Sequence, residues 1–229
     1  MGTERTRPAG QSEFALRPSE VAFVLIGVGL ATVGLTRLAL APGFWLWPTP
    51  LLVLLGLAGA DFVSGVIHWA GDTWGTERTP AVGWRFVRPF RFHHAHPLDM
   101  LKSNFFTTNG DNVLAVTPFL VLPLLLPVEP VGWVRAGAFA WAVGFFAMWT
   151  SQFHQWAHMK RPPRLARALQ RCRLILTPRH HWQHHKTPFV ANYCITTGWG
   201  DPLLARVRFF PALEWAVSKL TGLRPRPAS

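Results

Sequence analysis

Residues 131–158 read VGWVRAGAFAWAVGFFAMWTSQFHQWAH. From Val131 to Phe153 this stretch is apolar enough, and long enough, to cross a bilayer core, which takes about 20 mostly apolar helical residues. It ends in His154-Gln-Trp-Ala-His158, an i, i+4 pair whose imidazoles leave one face of the same helix. A membrane span that delivers two histidines to its end sets both the fold class and the place where chemistry is to be sought.

Working outward, three more stretches have this character. They are Val21–Ala41, Phe44–Trp69, and Asn112–Val128, the last short and carrying Pro118, Pro123 and Pro127. Composition agrees: 49 % of the 229 residues are hydrophobic and 15 % charged, against the roughly 25 % charged of soluble domains. Mean hydropathy is +0.18, and two cysteines exclude a disulfide scaffold. Cys172 and Cys194 are expected to pack as reduced thiols. Trp45, Trp47, Trp133, Trp149 and Trp156 lie near predicted span ends, where indoles favour the lipid boundary. Ala39-Leu40-Ala41 resembles a signal-peptidase site, but Arg37 and the acidic Glu4, Glu13 and Glu20 argue for a retained first helix.

A net charge of +12 would suggest a nucleic-acid partner in a soluble chain. Here it sorts by side instead. Of 23 Lys and Arg, only Arg37 and Arg135 fall near one face, while 21 precede Val21, lie between Arg78 and Lys102, or follow Met159. Four spans with both termini cytoplasmic satisfy the positive-inside rule. The predicted fold is an all-α integral membrane four-helix bundle with a histidine-rich cytoplasmic helical cap, in a bacterial inner membrane. The organisation is a cytoplasmic tail over 1–20, a membrane domain over 21–223 and a disordered tail over 224–229. Pro162–Leu176 reads as a basic amphipathic helix with Leu165, Leu169 and Leu176 on one face, suited to an anionic membrane surface or to packing on its own domain.

All ten histidines fall in four groups on the cytoplasmic side: His68; His93, His94 and His96; His154 and His158; His180, His181, His184 and His185. His181, His184 and His185 come together on a helix. Asp61, Gly65, His68 and Asp72 form one row along the end of the second span, and the adjacent His93 and His94 suit two separate ions. Neutral imidazole favours Fe, Zn, Cu and Ni. Eight histidines overfill one zinc, which takes four ligands, and no His-Glu-x-x-His is present. A haem cytochrome would need histidines facing each other within the span, and a transporter polar groups at mid-membrane depth; both fit the pattern poorly.

Several motifs together resemble the plasmanylethanolamine desaturase family, membrane enzymes that make the vinyl-ether bond of plasmalogens. They are Asp61-Phe-Val-Ser-Gly-x-x-His68-Trp-x-x-Asp72-Thr-Trp-Gly75, Arg88-Pro-Phe-Arg-Phe-His93-His94, Asn109-Gly-Asp-Asn112, His154-Gln-Trp-Ala-His158, Pro178-Arg-His-His-x-x-His184-His185 and Asn192-Tyr-Cys-Ile-Thr-Thr-Gly-Trp199. The resemblance covers about Gly59 to Arg224. It implies a di-iron centre held by His68, His93, His94, His154, His158, His181, His184 and His185, with His180, His96 and Asp72 as secondary candidates. It also implies O2 as co-substrate, a membrane phospholipid substrate, and electrons from an external reductase and small electron carrier. The chain departs from the family at Lys102-Ser103-Asn104, where the ether-lipid branch has Arg-His-Asp, and at His96, where that branch has Asp. A plant branch acting on fatty-acyl chains also lacks that histidine, so an acyl-lipid desaturase or hydroxylase is the alternative.

Overall fold

The computed structural model describes residues 14–226, whose regular elements are all helices, with no strand among them. Two long helices come first, α1 (Pro18–Ala39) and α2 (Thr49–Thr73). A π-helical turn (Gly83–Val87) leads into α3 (Arg88–Ala95), and a 3-10 turn (Asp99–Lys102) precedes α4 (Phe105–Leu125). The second half comprises α5 (Val131–Ala147), α6 (Thr150–His158), α7 (Arg164–Arg171), α8 (Pro178–His184), α9 (Asp201–Arg206) and α10 (Phe209–Thr221).

α1 packs on α4, α4 on α5, and α5 on α2, giving a four-helix arrangement. Three units, α1, α2 and the run Val131–His158 that joins α5 to α6, are long and apolar enough to cross a membrane. Val24, Ala31, Ala60, Val113, Val116, Leu120 and Met148 fill the core between them. The outer faces are also apolar: Leu25, Ile26, Val33, Leu54 and Leu55 are exposed. Such a surface would be a liability in water and is what lipid requires. Small residues set the closest helix approach. A Cβ on Gly56 would stand 2.4 Å from the Ala142 methyl, so α2 and α5 meet at a distance only glycine permits.

The structure moves two predicted boundaries. α4 begins at Phe105 rather than Asn112, because Asn104 caps it, its side-chain oxygen accepting from the Phe106 and Thr107 N–H groups at 2.9 and 3.1 Å. At the other end, Arg37 donates to the Pro123 and Leu126 carbonyls at 2.6 and 2.8 Å, which explains a cation so far from the others. The fourth span is divided at Met148–Trp149, where the Asn112 amide donates to the Ala147 and Met148 carbonyls at 2.7 and 3.0 Å.

The basic amphipathic helix is shorter than its pattern. α7 ends at Arg171 and buries Ala166 and Gln170, while Leu165 is exposed; Leu176 is buried beyond the helix end. Cys194 is buried but Cys172 is exposed. Residues 1–13 of the N-terminal segment and 227–229 of the C-terminal one lie outside the described residues. Arg226 donates its N–H to the Thr73 carbonyl at 2.9 Å, at the end of α2.

Candidate metal centre

Two compact groups of ligand-type side chains form where α2, α3, α6 and α8 meet. One gathers His93, His154, His158, His181 and His185; the other gathers His68, Asp72, His94 and His184. Within each group one ligand atom per residue lies within 4.8 Å of all the others. The adjacent histidines are divided between them: His93 and His185 enter the first group, His94 and His184 the second. Neighbouring side chains on a helix point about 100° apart, so one dipeptide serves two centres. His154 and His158 stay together because an i, i+4 pair shares a face.

In the five-histidine group the Nε2 atoms converge. His154 to His181 is 2.8 Å, His158 to His181 2.7 Å, His181 to His185 2.9 Å, His93 to His185 3.1 Å and His154 to His158 3.3 Å. With metal–nitrogen bonds of about 2.1 Å, ligands at right angles stand about 3.0 Å apart and tetrahedral ligands about 3.4 Å. The observed spacings follow the right-angle value, and five donors exceed the four of a tetrahedral zinc. Nitrogens this close also leave no room for a porphyrin between them.

In the other group, Asp72 Oδ2 lies 3.4, 3.5 and 3.7 Å from the Nε2 atoms of His68, His94 and His184. Both Asp72 carboxylate oxygens and His68 Nε2 are buried without a hydrogen-bond partner among the described residues. A buried carboxylate lacking partners is costly, and a shared cation is what would satisfy it. Asp72, a secondary candidate in the sequence, is therefore central to the second group. The other two secondary candidates stand apart. His180 Nε2 bonds Asp201 Oδ2 at 2.6 Å, and the exposed His96 packs at a tilt against Phe92 with ring centroids 4.7 Å apart.

A second layer orients these rings. His68 Nδ1 meets the Tyr193 carbonyl at 3.1 Å and His184 Nδ1 meets the Ala191 carbonyl at 2.7 Å. A carbonyl only accepts, so each Nδ1 carries the hydrogen and each Nε2 turns its lone pair inward. The loop supplying these carbonyls is tied to α2. Asp61 accepts from the Thr197, Gly198 and Gly200 N–H groups at 2.6, 2.9 and 2.9 Å. The Ser64 hydroxyl accepts from Ile195 N–H and Asp201 from Cys194 N–H, both at 3.1 Å. Gly198 is required here: its φ is +79° and a Cβ would meet the His180 ring at 2.6 Å. The row Asp61–Gly65–His68–Asp72 thus divides its work, the first residue holding the loop and the last two facing the second group. α6 is fixed separately. The Gln155 amide donates to the Met100 and Ser103 carbonyls at 2.9 and 3.1 Å, and the Asn109 amide bonds Gln152 at 3.2 Å.

Burial, reinforced by neighbouring imidazoles, keeps the cap histidines neutral. His93 and His181 are held well below their ordinary 6.5. His94 falls to about 3, and His184 and His185 to about 4. Neutral imidazole is the form that binds metal. A cavity of about 260 Å³ opens beside the site, and His93 and His154 form part of its wall. His96 and Ser103, where the sequence departs from the family pattern, line the same cavity.

The lipid desaturase domain model matches residues 57–228. The chain is 43 % identical over 212 residues to a plasmanylethanolamine desaturase of Myxococcus xanthus, covering 93 % of this chain and 75 % of the relative. It is 37 % identical to plasmanylethanolamine desaturase 1 of Mus musculus, over 78 % of this chain and 69 % of the relative. It is 39 % identical to the chloroplastic fatty acid desaturase 4 of Arabidopsis thaliana, over 76 % of this chain and 54 % of the relative. No solved structure matches the chain.

Two outcomes follow from the geometry. Replacing Asp61 by Ala strands three buried N–H groups at about 1–3 kcal/mol each, so the thermal midpoint in detergent should fall by more than about 5 °C. Asp61→Asn, which keeps one acceptor oxygen, should fall less; equal midpoints would refute the tether. The second concerns pH. His184 and His185 titrate near 4 in the fold and near 6.5 when unfolded. Between these values the unfolded chain binds more protons, so stability of metal-free protein declines as pH drops, by up to about 1.4 kcal/mol per unit for His184 and by less for the partly exposed His185. A midpoint unchanged between pH 6.5 and 5 would contradict this.

Apolar spanning helices, a buried two-part cluster of histidines and the match to known desaturases together make the chain an integral membrane oxidoreductase, and it belongs to the lipid desaturase family.

Proposed function

We propose that the protein is an oxygen-dependent di-iron desaturase that forms the vinyl-ether double bond of plasmalogens from 1-O-alkyl ethanolamine phospholipids. The observation that carries this is the pair of donor groups, five histidines beside three histidines and an aspartate. Two iron ions bound there, with O2 and two electrons per turnover from an external reductase and small electron carrier, supply the power to remove two hydrogens from adjacent CH2 groups. His93, His154, His158, His181 and His185 would hold one ion, and His68, Asp72, His94 and His184 the other.

The remaining work belongs to the chain itself. Tyr193 and Ala191 fix two ring tautomers, and the buried cap histidines stay unprotonated near neutral pH. The cavity admits substrate to His93 and His154 while the bundle keeps the second group away from it. At about 260 Å³ the cavity falls just under the ~300 Å³ lower end for sites that enclose a small ligand. A polar head and the first chain carbons would fill it, the carbons on which the vinyl ether forms. The 43 % identity to the Myxococcus xanthus plasmanylethanolamine desaturase supports the ether-lipid substrate. The cation asymmetry and the exposed Trp45 and Trp47 on the turn after α1 support an inner-membrane protein with both termini and the histidines cytoplasmic.

A second reading, an acyl-lipid desaturase or hydroxylase with the same irons, draws on the likeness to the chloroplastic enzyme. Lipid mass spectrometry separates the two. Cells making the protein should accumulate acid-labile vinyl ethers, and His184→Ala should abolish them with protein level unchanged. A new acyl double bond or hydroxyl would favour the second reading, and full activity of His184→Ala would overturn both.

A further inference from the structure

The motif Asn109-Gly-Asp-Asn112 has a structural duty at three of its four positions. Asn109 bonds Gln152, and Asn112 bonds the carbonyls at the break between α5 and α6. Gly110 lets α4 touch α1, since a Cβ there would stand 2.6 Å from the Glu20 Cα. Asp111 is the remaining member, and it lines the cavity that reaches His93 and His154.

Glu20 and Asp111 are the two carboxylates on that wall. Glu20 is consumed. It accepts from the Arg17 N–H at 2.9 Å, from Arg17 Nε at 2.7 Å and from the Thr107 hydroxyl at 3.0 Å. Asp111 is ion-paired to two guanidiniums but hydrogen-bonded to one. Its Oδ2 bonds Arg17 Nη2 at 2.8 Å, whereas the buried Oδ1 has no hydrogen bond and meets Arg85 Nε only as an ion pair at 3.4 Å. Arg85 lines the same cavity. An ion pair without a hydrogen bond is exchangeable: a zwitterion carrying an N–H donor next to a phosphate complements both of its members.

We infer that Asp111 and Arg85 form the head-group site, Asp111 Oδ1 accepting from the primary ammonium of an ethanolamine phospholipid while Arg85 takes its phosphate. This rests on the lipid-desaturase reading and adds the residue that sets head-group specificity. Phosphate draws Arg85 away from Asp111, and the ammonium takes its place. A choline head carries the same charge but no N–H, so it cannot satisfy Oδ1. With the head at this wall, the first carbons of the chain face His93 and His154.

The test reads binding rather than turnover. Full-length, metal-loaded protein in detergent is mixed with equal amounts of 1-O-alkyl ethanolamine and choline phospholipids, and retained lipid is counted by mass spectrometry. The unmodified chain should prefer the ethanolamine lipid about tenfold, the factor for one charge-assisted hydrogen bond. Asp111→Asn should bring the ratio near one, while Arg17→Gln, which breaks the same ion pair but spares the carboxylate, should keep it. On the unmodified chain alone, mono-, di- and trimethylation of the ammonium should lower retention progressively, which serves if Asp111→Asn does not fold. An unselective unmodified chain, a selective Asp111→Asn, or equal loss in Arg17→Gln would each overturn the inference. Selective binding without vinyl-ether formation would instead defeat the desaturase reading and leave head-group recognition standing.

Discussion

The structure depends on one electrostatic constraint: eight imidazoles and a carboxylate are crowded together out of water with their acceptor atoms facing inward. Ring nitrogens converge to 2.7–3.3 Å of one another, and burial disfavours relieving the crowding by protonation. A positive charge shared among them suits the arrangement, and the fold holds the rings in place for it. The carbonyls of Tyr193 and Ala191, the Asp61 tether and the Gln155 ladder all serve this end. Each uses backbone or amide groups, which keep their hydrogen bonds whether or not the centre is filled.

The membrane supplies the other half of the design. Lipid tails satisfy the outer faces of α1 and α2, freeing the interior for close glycine-mediated packing. α4 is not among the helices apolar enough to cross a membrane, and its polar start, Thr107 to Asn112, is what builds both the cavity wall and the brace for the α5–α6 break. One helix therefore connects the substrate space to the histidines without donating a ligand to either group.

Much of this was legible in the residues themselves. Helical periodicity places His154 with His158 on one face, and adjacency separates His93 from His94; the structure uses both. Spacing could not rank Asp72 above His96 and His180, because what distinguishes them is burial without a partner, a property of the assembled cap. The loop from Ala191 to Gly200 has no periodicity, so its carbonyls and its bond to Asp61, more than a hundred residues earlier, were invisible. The pattern from Pro162 to Leu176 misled for a related reason: leucines at helical spacing mark a shared face only while the chain stays helical, and α7 ends at Arg171.

The proposed centre holds two metal ions in two unlike donor groups. Elemental analysis of freshly purified, active protein, combined with Mössbauer spectroscopy of iron-57-enriched samples, should find two irons per chain in two distinguishable environments, one set by nitrogen ligands alone and one including a carboxylate. Zinc as the sole metal of an active preparation, or a single iron per chain at full activity, would contradict it.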